Sequence, residues 1–261
     1  MRLDKFLTTA HLGMRYEVAQ FIKEGKVKVN GKVVTVPETQ IDEEQDEVRY
    51  LGQIVGNIEK VYYMFHKPAG CITARKDLEK KTVLDYFHQV DVSSIFPVGR
   101  LDKDTEGLLF LTNDGEFDHQ LMSPKQHVDK TYYFLAFGSL SEEQISRLEN
   151  GISIGKEEAL TKPAQLRIEK TGLYKEHAQE LVPLMTKSIK MDEERQQVVS
   201  GYLTISEGRK HQVKRMLKAM GCYIVYLKRM SIGNITLDAR LQKGEYRRMT
   251  REEVEGLLNG K

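Results

Sequence analysis

The sequence predicts an α+β fold in two parts, a small helix-and-hairpin module followed by a larger strand-rich domain with helices packed against its sheet. Three observations predict it. Apolar residues recur at helical spacing only in the opening stretch and then in isolated blocks, and most later apolar runs are short and bounded by Gly, Pro or Asn. Charge is also segregated along a chain whose net charge is only +2.

Leu3, Phe6, Leu7 and Ala10 fall at helical spacing and stop at Gly13, and Val18, Phe21 and Ile22 repeat the pattern and stop at Gly25. Two short helices are expected. Lys26-Val27-Lys28-Val29 then alternates with period two, and Asn30-Gly31 is a hairpin signal before Val33 and Val34. The alternation sets Lys26 and Lys28 on the face opposite Val27 and Val29. Residues 1 to 32 hold seven Lys or Arg against three acids, whereas residues 33 to 60 hold seven acids and two bases, so the basic charge belongs to one local surface. Residues 51 to 60 read as a linker, which divides the chain into 1–59 and 60–261.

In the second part Val61 to Phe65 reads as a strand that His66-Lys67-Pro68-Ala69-Gly70 closes. Leu108-Leu109-Phe110-Leu111 reads as a buried strand, and Asn113-Asp114-Gly115 after it supplies residues that tolerate left-handed backbone in a reversal. Lys130 to Leu135 is an aromatic-rich strand whose alternation puts Tyr132 and Tyr133 on opposite faces. Residues 171 to 200 are polar and charged, and a surface insertion or mobile loop is expected there. A strand from Tyr202 to Ser206 leads into a helix with an apolar stripe, Val213, Met216, Leu217 and Met220, stopped by Gly221. Lys210, Lys214 and Lys218 lie four apart on another face. Gly208 to Arg229 carries seven bases and no acid, a second basic surface that suits a polyanion. A final helix is capped by Thr250 with Glu253 three residues on.

Composition excludes several functions. A chain of 261 residues with 40% hydrophobic content can fill a core. It has no run of about 18 apolar residues and no signal peptide, so a cytoplasmic protein without a membrane span is expected. Cys71 and Cys222 lack metal or redox spacing and are expected to be reduced core thiols. No phosphate-binding glycine loop, metal cluster or nucleotide fingerprint is present, so no metal or other cofactor is expected.

The segment Gly99-Arg100-Leu101-Asp102-Lys103-Asp104-Thr105-Glu106-Gly107 is the most informative. Its carboxylate spacing imitates the first half of a calcium loop, but the twelfth position is Asn113 instead of a bidentate Glu and Lys103 intrudes. The whole string from Gly99 to Gly115 resembles the catalytic segment of the RsuA/RluB-type pseudouridine synthases, and the resemblance makes Asp102 the essential carboxylate. Lys130-Thr131-Tyr132 resembles that family's second motif and Glu207 to Leu217 its third, which implies Tyr132 stacked on the uracil, Lys214 paired with Asp102, and Val213 beneath the base. Arg100 is implied to help occupy the space left by the flipped nucleotide. The helix-helix-hairpin opening resembles an S4-type RNA-binding domain.

The resemblance implies a mixed, largely antiparallel sheet and isomerisation of uridine to pseudouridine in ribosomal RNA. The Lys-Thr-Tyr form, the Glu207 to Met216 string and the Gly244-Glu245-Tyr246 tail point to the small-subunit 16S rRNA type, acting as a monomer within a small-subunit assembly intermediate. A 23S or other stem-loop RNA target, and a non-catalytic RNA-binding or ribosome-assembly protein, are the alternatives. Phosphate contacts are expected from Arg2, Lys5, Arg15, Lys26 and Lys28, and from Arg209, Lys210, Arg215 and Lys218. Whether Asp102 attacks the sugar, adds to the ring or removes a ribose proton is left open by the residues.

Overall fold

The computed structural model describes residues 1–261 except 11, 57–58, 124–125, 182–191 and 260–261. The chain forms two compact units, Met1–Val61 with Gln89–Phe96, and Tyr62–His88 with Pro97–Lys261.

In the first unit α1 (Leu3–Thr9) and α2 (Arg15–Lys23) bury Leu3, Phe6, Leu7, Val18 and Ile22 against Val27, Ile41 and Val48. The helical periodicity therefore marks the face that is buried. Between β1 (Val27–Val29) and β2 (Lys32–Val33), Asn30 at φ 49° and Gly31 at φ 78° are both left-handed, as a tight two-residue hairpin demands. Two further strands, β3 (Val48–Tyr50) and β4 (Gln53–Ile54), complete a sheet in the order β2-β1-β3-β4. The linker expected over 51–60 thus begins with a second hairpin, turned by Leu51 at φ 48° and Gly52 at φ 86°. Leucine is a rare first residue for such a turn, so no cue of composition announced it.

The second unit contains β5 (Tyr62–Lys67), β7 (Glu106–Thr112), β8 (Lys130–Phe137), β9 (Ala164–Leu173), β10 (Gln197–Ile205), β11 (Tyr223–Ile232), β12 (Ile235–Thr236) and β13 (Tyr246–Arg248), with β6 (Phe96–Val98) at its edge in sequence. Its helices are α3 (Gly115–Met122), α4 (Glu142–Asn150), α5 (Tyr174–Leu181), α6 (Gln212–Ala219) and α7 (Arg251–Asn259). The sheet runs β13-β5-β7-β11-β8-β10-β9. Neighbours on this path are antiparallel except β7 and β11, so the sheet is mixed and largely antiparallel. Every residue of β7 is buried, which is why its sequence is a continuous apolar run. On one face Met64, Leu108 and Phe110 pack against Phe117 and Leu121 of α3 and Val254 and Leu257 of α7. Thr250 and Glu253 close a reciprocal cap on α7, Thr250 N–H donating to Glu253 Oε2 at 2.9 Å and Glu253 N–H to Thr250 Oγ1 at 3.2 Å.

Three sequence expectations change. His66 and Lys67 belong to β5, because the strand ends only where Pro68 removes a donor. Asn113-Asp114-Gly115 is a helix start and not a left-handed reversal, with Asp114 Oδ1 accepting from the Glu116 and Phe117 amides at 3.0 and 3.4 Å. Of 171–200, residues 182–191 lie outside the described residues, and the flanks are regular. β9 runs to Leu173, α5 follows, and β10 begins at Gln197 opposite Leu173. Polar composition marked the exposure of this stretch but hid its pairing, since β9 is a half-exposed strand.

Candidate active site

The turn that carries Asp102 is held from beneath by its backbone. Lys67 is fully buried, and its Nζ donates to the carbonyls of Asp102 at 3.0 Å, Thr105 at 2.9 Å and Pro68 at 3.0 Å. Burial pushes the Lys67 ammonium down from its usual range, against the attraction of nearby acidic groups, and the carbonyl oxygens at hydrogen-bond distance help to make a charge tolerable there. Thr73 adds a two-way clamp on Leu101, its hydroxyl donating to the carbonyl at 2.8 Å and accepting from the amide at 3.1 Å. The Asp102 side chain stays half-exposed at the edge of this fixed turn.

The strand leaving the turn needs glycine. Gly107, at φ 107°, sits in register with Arg229 of β11, and a Cβ there would strike the Arg229 backbone. That close approach holds β7, the strand that follows the loop of Asp102, against β11. A cavity of about 660 Å³ opens there, bordered by Arg100, Asp102, Lys130, Tyr132, Val213 and Lys214, with Arg229 in its wall. The three segments distant in sequence share this one cavity.

Within it Lys214 Nζ lies 3.0 Å from Asp102 Oδ2 and also contacts Asp104 Oδ1, while His211 Nε2 is 3.5 Å from Asp102 Oδ1. Lys214 reaches both carboxylates because α6 starts directly after His211, whose left-handed φ of 52° turns the chain into the helix. Val213, on the first turn of the same helix, is 4% exposed. Tyr132 is buried, and its hydroxyl accepts a long hydrogen bond from Arg229 Nη1 at 3.4 Å. Tyr133 points the other way and packs edge-on against Tyr202 and Tyr226.

Known proteins resemble this chain over nearly its full length. The family model for RNA pseudouridylate synthase matches residues 61–219, and that for the S4 domain matches residues 1–48. The chain belongs to the RNA pseudouridylate synthase family. It is 41% identical to an uncharacterized RNA pseudouridine synthase of Bacillus subtilis, with 99% of this chain and 98% of that protein covered. It is 35% identical to the ribosomal small subunit pseudouridine synthase A of Haemophilus influenzae, with 99% and 100% covered. It is 38% identical to the ribosomal large subunit pseudouridine synthase B of B. subtilis, with 98% and 95% covered. A crystal structure of a pseudouridylate synthase superposes with a TM-score of 0.64 at 34% identity, covering 98% of this chain and 99% of that one.

This pseudouridine synthase distributes its basic residues unevenly. Arg209 donates to the carbonyls of Ala159 at 2.6 Å and Leu160 at 2.7 Å and pairs with Glu207, and Arg215 donates to the Ile154 carbonyl and pairs with Glu158. Arg209, just ahead of α6, and Arg215, on it, tie the 154–160 loop to this segment, a use that their sequence pattern does not separate from phosphate binding. Lys210 and Lys218 are exposed. In the S4 unit Arg2 and Arg15 converge on buried Asp4 at 2.9 and 3.2 Å, and Lys26 pairs with Glu24 at 2.6 Å. Burial alone would raise the Asp4 carboxyl, but the hydrogen bonds from Arg2 and Arg15 outweigh it and hold it below its ordinary value. Lys5 and Lys28 are exposed. No group of three or more metal-ligating side chains forms among the described residues, and no helix there is long and apolar enough to cross a membrane. Cys71 and Cys222 are buried free thiols.

Lys130 borders the cavity with its Nζ donating to the Val128 carbonyl at 2.8 Å. Burial first, and repulsion from Arg229 second, push its ammonium down to about 8. Below that pH the folded chain carries a charge that the unfolded chain holds more favourably, and the penalty fades as pH rises from about 8 towards the unfolded value of 10.5. Lys130→Met is therefore expected to stabilise the protein at pH 7 by about 2 kcal/mol. The gain in Tm should shrink towards pH 10, and a gain independent of pH would refute the assignment.

Proposed function

We propose that this enzyme isomerises a uridine of ribosomal RNA, in the small subunit, with Asp102 as the reacting carboxylate, Tyr132 as the stacking surface and Lys214 as the partner that fixes Asp102. The meeting of Asp102 and Lys214 inside the cavity that Tyr132 borders carries the proposal. Pseudouridine formation breaks the bond from ribose C1′ to N1, joins C1′ to C5, releases the C5 proton and protonates N1, so no atoms are gained or lost overall. The detached uracil must stay in place while it turns, which calls for a closed pocket with a flat apolar wall. Tyr132 and Val213 supply the two walls, and Arg100, exposed at the rim, fills the vacated position in the RNA stem. Residues 1–59 serve as the RNA-binding module and 60–261 as the catalytic domain, a division that the two family matches support. The enzyme works as a cytoplasmic monomer on a small-subunit assembly intermediate.

The full-length relation to a small-subunit enzyme supports the choice of RNA, and the relation to a large-subunit enzyme keeps one alternative specific. Mapping pseudouridines in both ribosomal RNAs of cells with and without the protein decides between them. A small-subunit position lost on deletion is the expected result, and a large-subunit position alone would reverse the assignment.

The S4 unit contributes through phosphate charge. Lys5→Ala with Lys28→Ala removes two exposed ammoniums and should lower the slope of log affinity against log salt by about 1–2. Turnover of bound RNA should stay the same. An unchanged salt slope in filter binding would place the RNA backbone elsewhere.

A further inference from the structure

Arg229, on β11, is a buried cation whose hydrogen-bonding is incomplete among the described residues. It is 2% exposed, so it does not reach a phosphate on the RNA surface. Its Nε donates to the Leu108 carbonyl at 2.7 Å and its Nη1 to the Tyr132 hydroxyl at 3.4 Å, while Nη2 is buried without an acceptor among the described residues. A guanidinium left in this state is costly, because each unpaired buried donor forfeits its hydration. Arg229 also borders the cavity, beside Tyr132, its cross-strand neighbour. A missing acceptor next to a cavity is explained when the acceptor arrives with the substrate.

We propose that Arg229 is a base-recognition residue, with Nη2 donating to a ring carbonyl of the extruded uracil while Nη1 orients the Tyr132 hydroxyl. The proposal rests on the reading of this cavity as the uracil pocket. The chemistry of the ring favours a donor of this kind. For C5 to take the place of N1, uracil turns about the axis through N3 and C6, and that turn exchanges O2 with O4. One fixed donor beside the carbonyl position therefore serves substrate and product alike. It also selects against cytosine wherever the exocyclic amine occupies the same position, since two donors would then face each other. The parallel register of Gly107 with Arg229 fixes the backbone from which this side chain extends, and it does so only because position 107 has no side chain.

The test uses the full chain and a small-subunit rRNA transcript carrying 5-tritiated uridine, whose tritium is released when C5 becomes the glycosidic carbon. Arg229→Met keeps the length of the side chain without a buried donor. It should lower turnover of bound RNA about 100-fold while RNA affinity changes less than about threefold, and Arg229→Lys should recover part of that loss. A folded Arg229→Met enzyme with wild-type turnover overturns the proposal, and so does a loss confined to Kd. Should Arg229→Met fail to fold, the wild-type enzyme decides on transcripts with 2-thiouridine or 4-thiouridine in place of uridine, where the weakly accepting sulfur should slow turnover per bound RNA with at least one of the two. Unchanged turnover with both overturns the contact. If Asp102→Asn is inactive while Arg229→Met is fully active, only this inference falls; if Asp102→Asn is active, the reading of the cavity falls with it.

Discussion

Asp102→Asn is expected to abolish tritium release from 5-labelled rRNA, by about 10⁴-fold or more, while RNA affinity stays within about threefold. The substitution keeps the size of the side chain and most of its hydrogen bonding. It removes the charge that meets Lys214 at 3.0 Å and the oxygen able to attack, add or accept a proton. The loop itself should not move. Its backbone is held by Lys67, Thr73 and the Gly70 amide through main-chain atoms of residues 101–105, none of which depends on the Asp102 carboxylate. Lys214 keeps Asp104 as its partner, so no buried ammonium is left unpaired. Thermal unfolding of the variant should accordingly match the parent within a few degrees, and residual turnover near the wild-type rate would remove Asp102 from the mechanism.

What was legible in the sequence followed from periodicity and from local turn chemistry. The two opening helices and the Asn30-Gly31 hairpin are specified by neighbours in the chain, and the apolar run of β7 is specified by burial on both faces. The carboxylate turn was legible for a different reason, since its residues form an unbroken string. Lys67, Arg229 and the 154–160 loop were not legible. A buried lysine bonded to carbonyls and an exposed lysine look alike as letters, and what distinguishes Lys67 is a turn thirty-five residues away. Arg229 lies at the end of a basic stretch that reads as one surface, yet strand alternation sends it inward beside Tyr132 and sets Lys228 on the other face. The same limit explains Arg209 and Arg215, whose carbonyl partners stand 49 to 61 residues away. Charge counting along the chain finds a basic surface but does not separate the cations that hold the fold from those left for RNA.

The second large effect concerns Tyr132, and two substitutions divide its contributions. Tyr132→Ala is expected to be inactive, with turnover down by about 10³-fold, because it deletes the flat wall that the proposed mechanism sets against both the flipped uridine and the detached uracil. Tyr132→Phe keeps the ring. Its loss should be smaller, about 10–100-fold, and should fall on turnover more than on affinity. The structure adds a reason for that loss beyond any role of the hydroxyl in moving protons. Phe would leave Arg229 Nη1 without the oxygen it now meets at 3.4 Å, at a cost of about 1–2 kcal/mol in a site where Nη2 already lacks a partner among the described residues. Because Tyr132 is only 8% exposed, Tyr132→Ala also opens a cavity and destabilises the sheet by about 3–5 kcal/mol. Leu203→Ala supplies the control. Leu203 is the cross-strand neighbour of Tyr132 on β10 and fully buried, so its truncation should weaken stability by a comparable amount while turnover of the folded enzyme is retained. If Tyr132→Ala behaved as Leu203→Ala does, less stable but fully active when folded, Tyr132 would be a core residue and the pocket would have to be built on another wall.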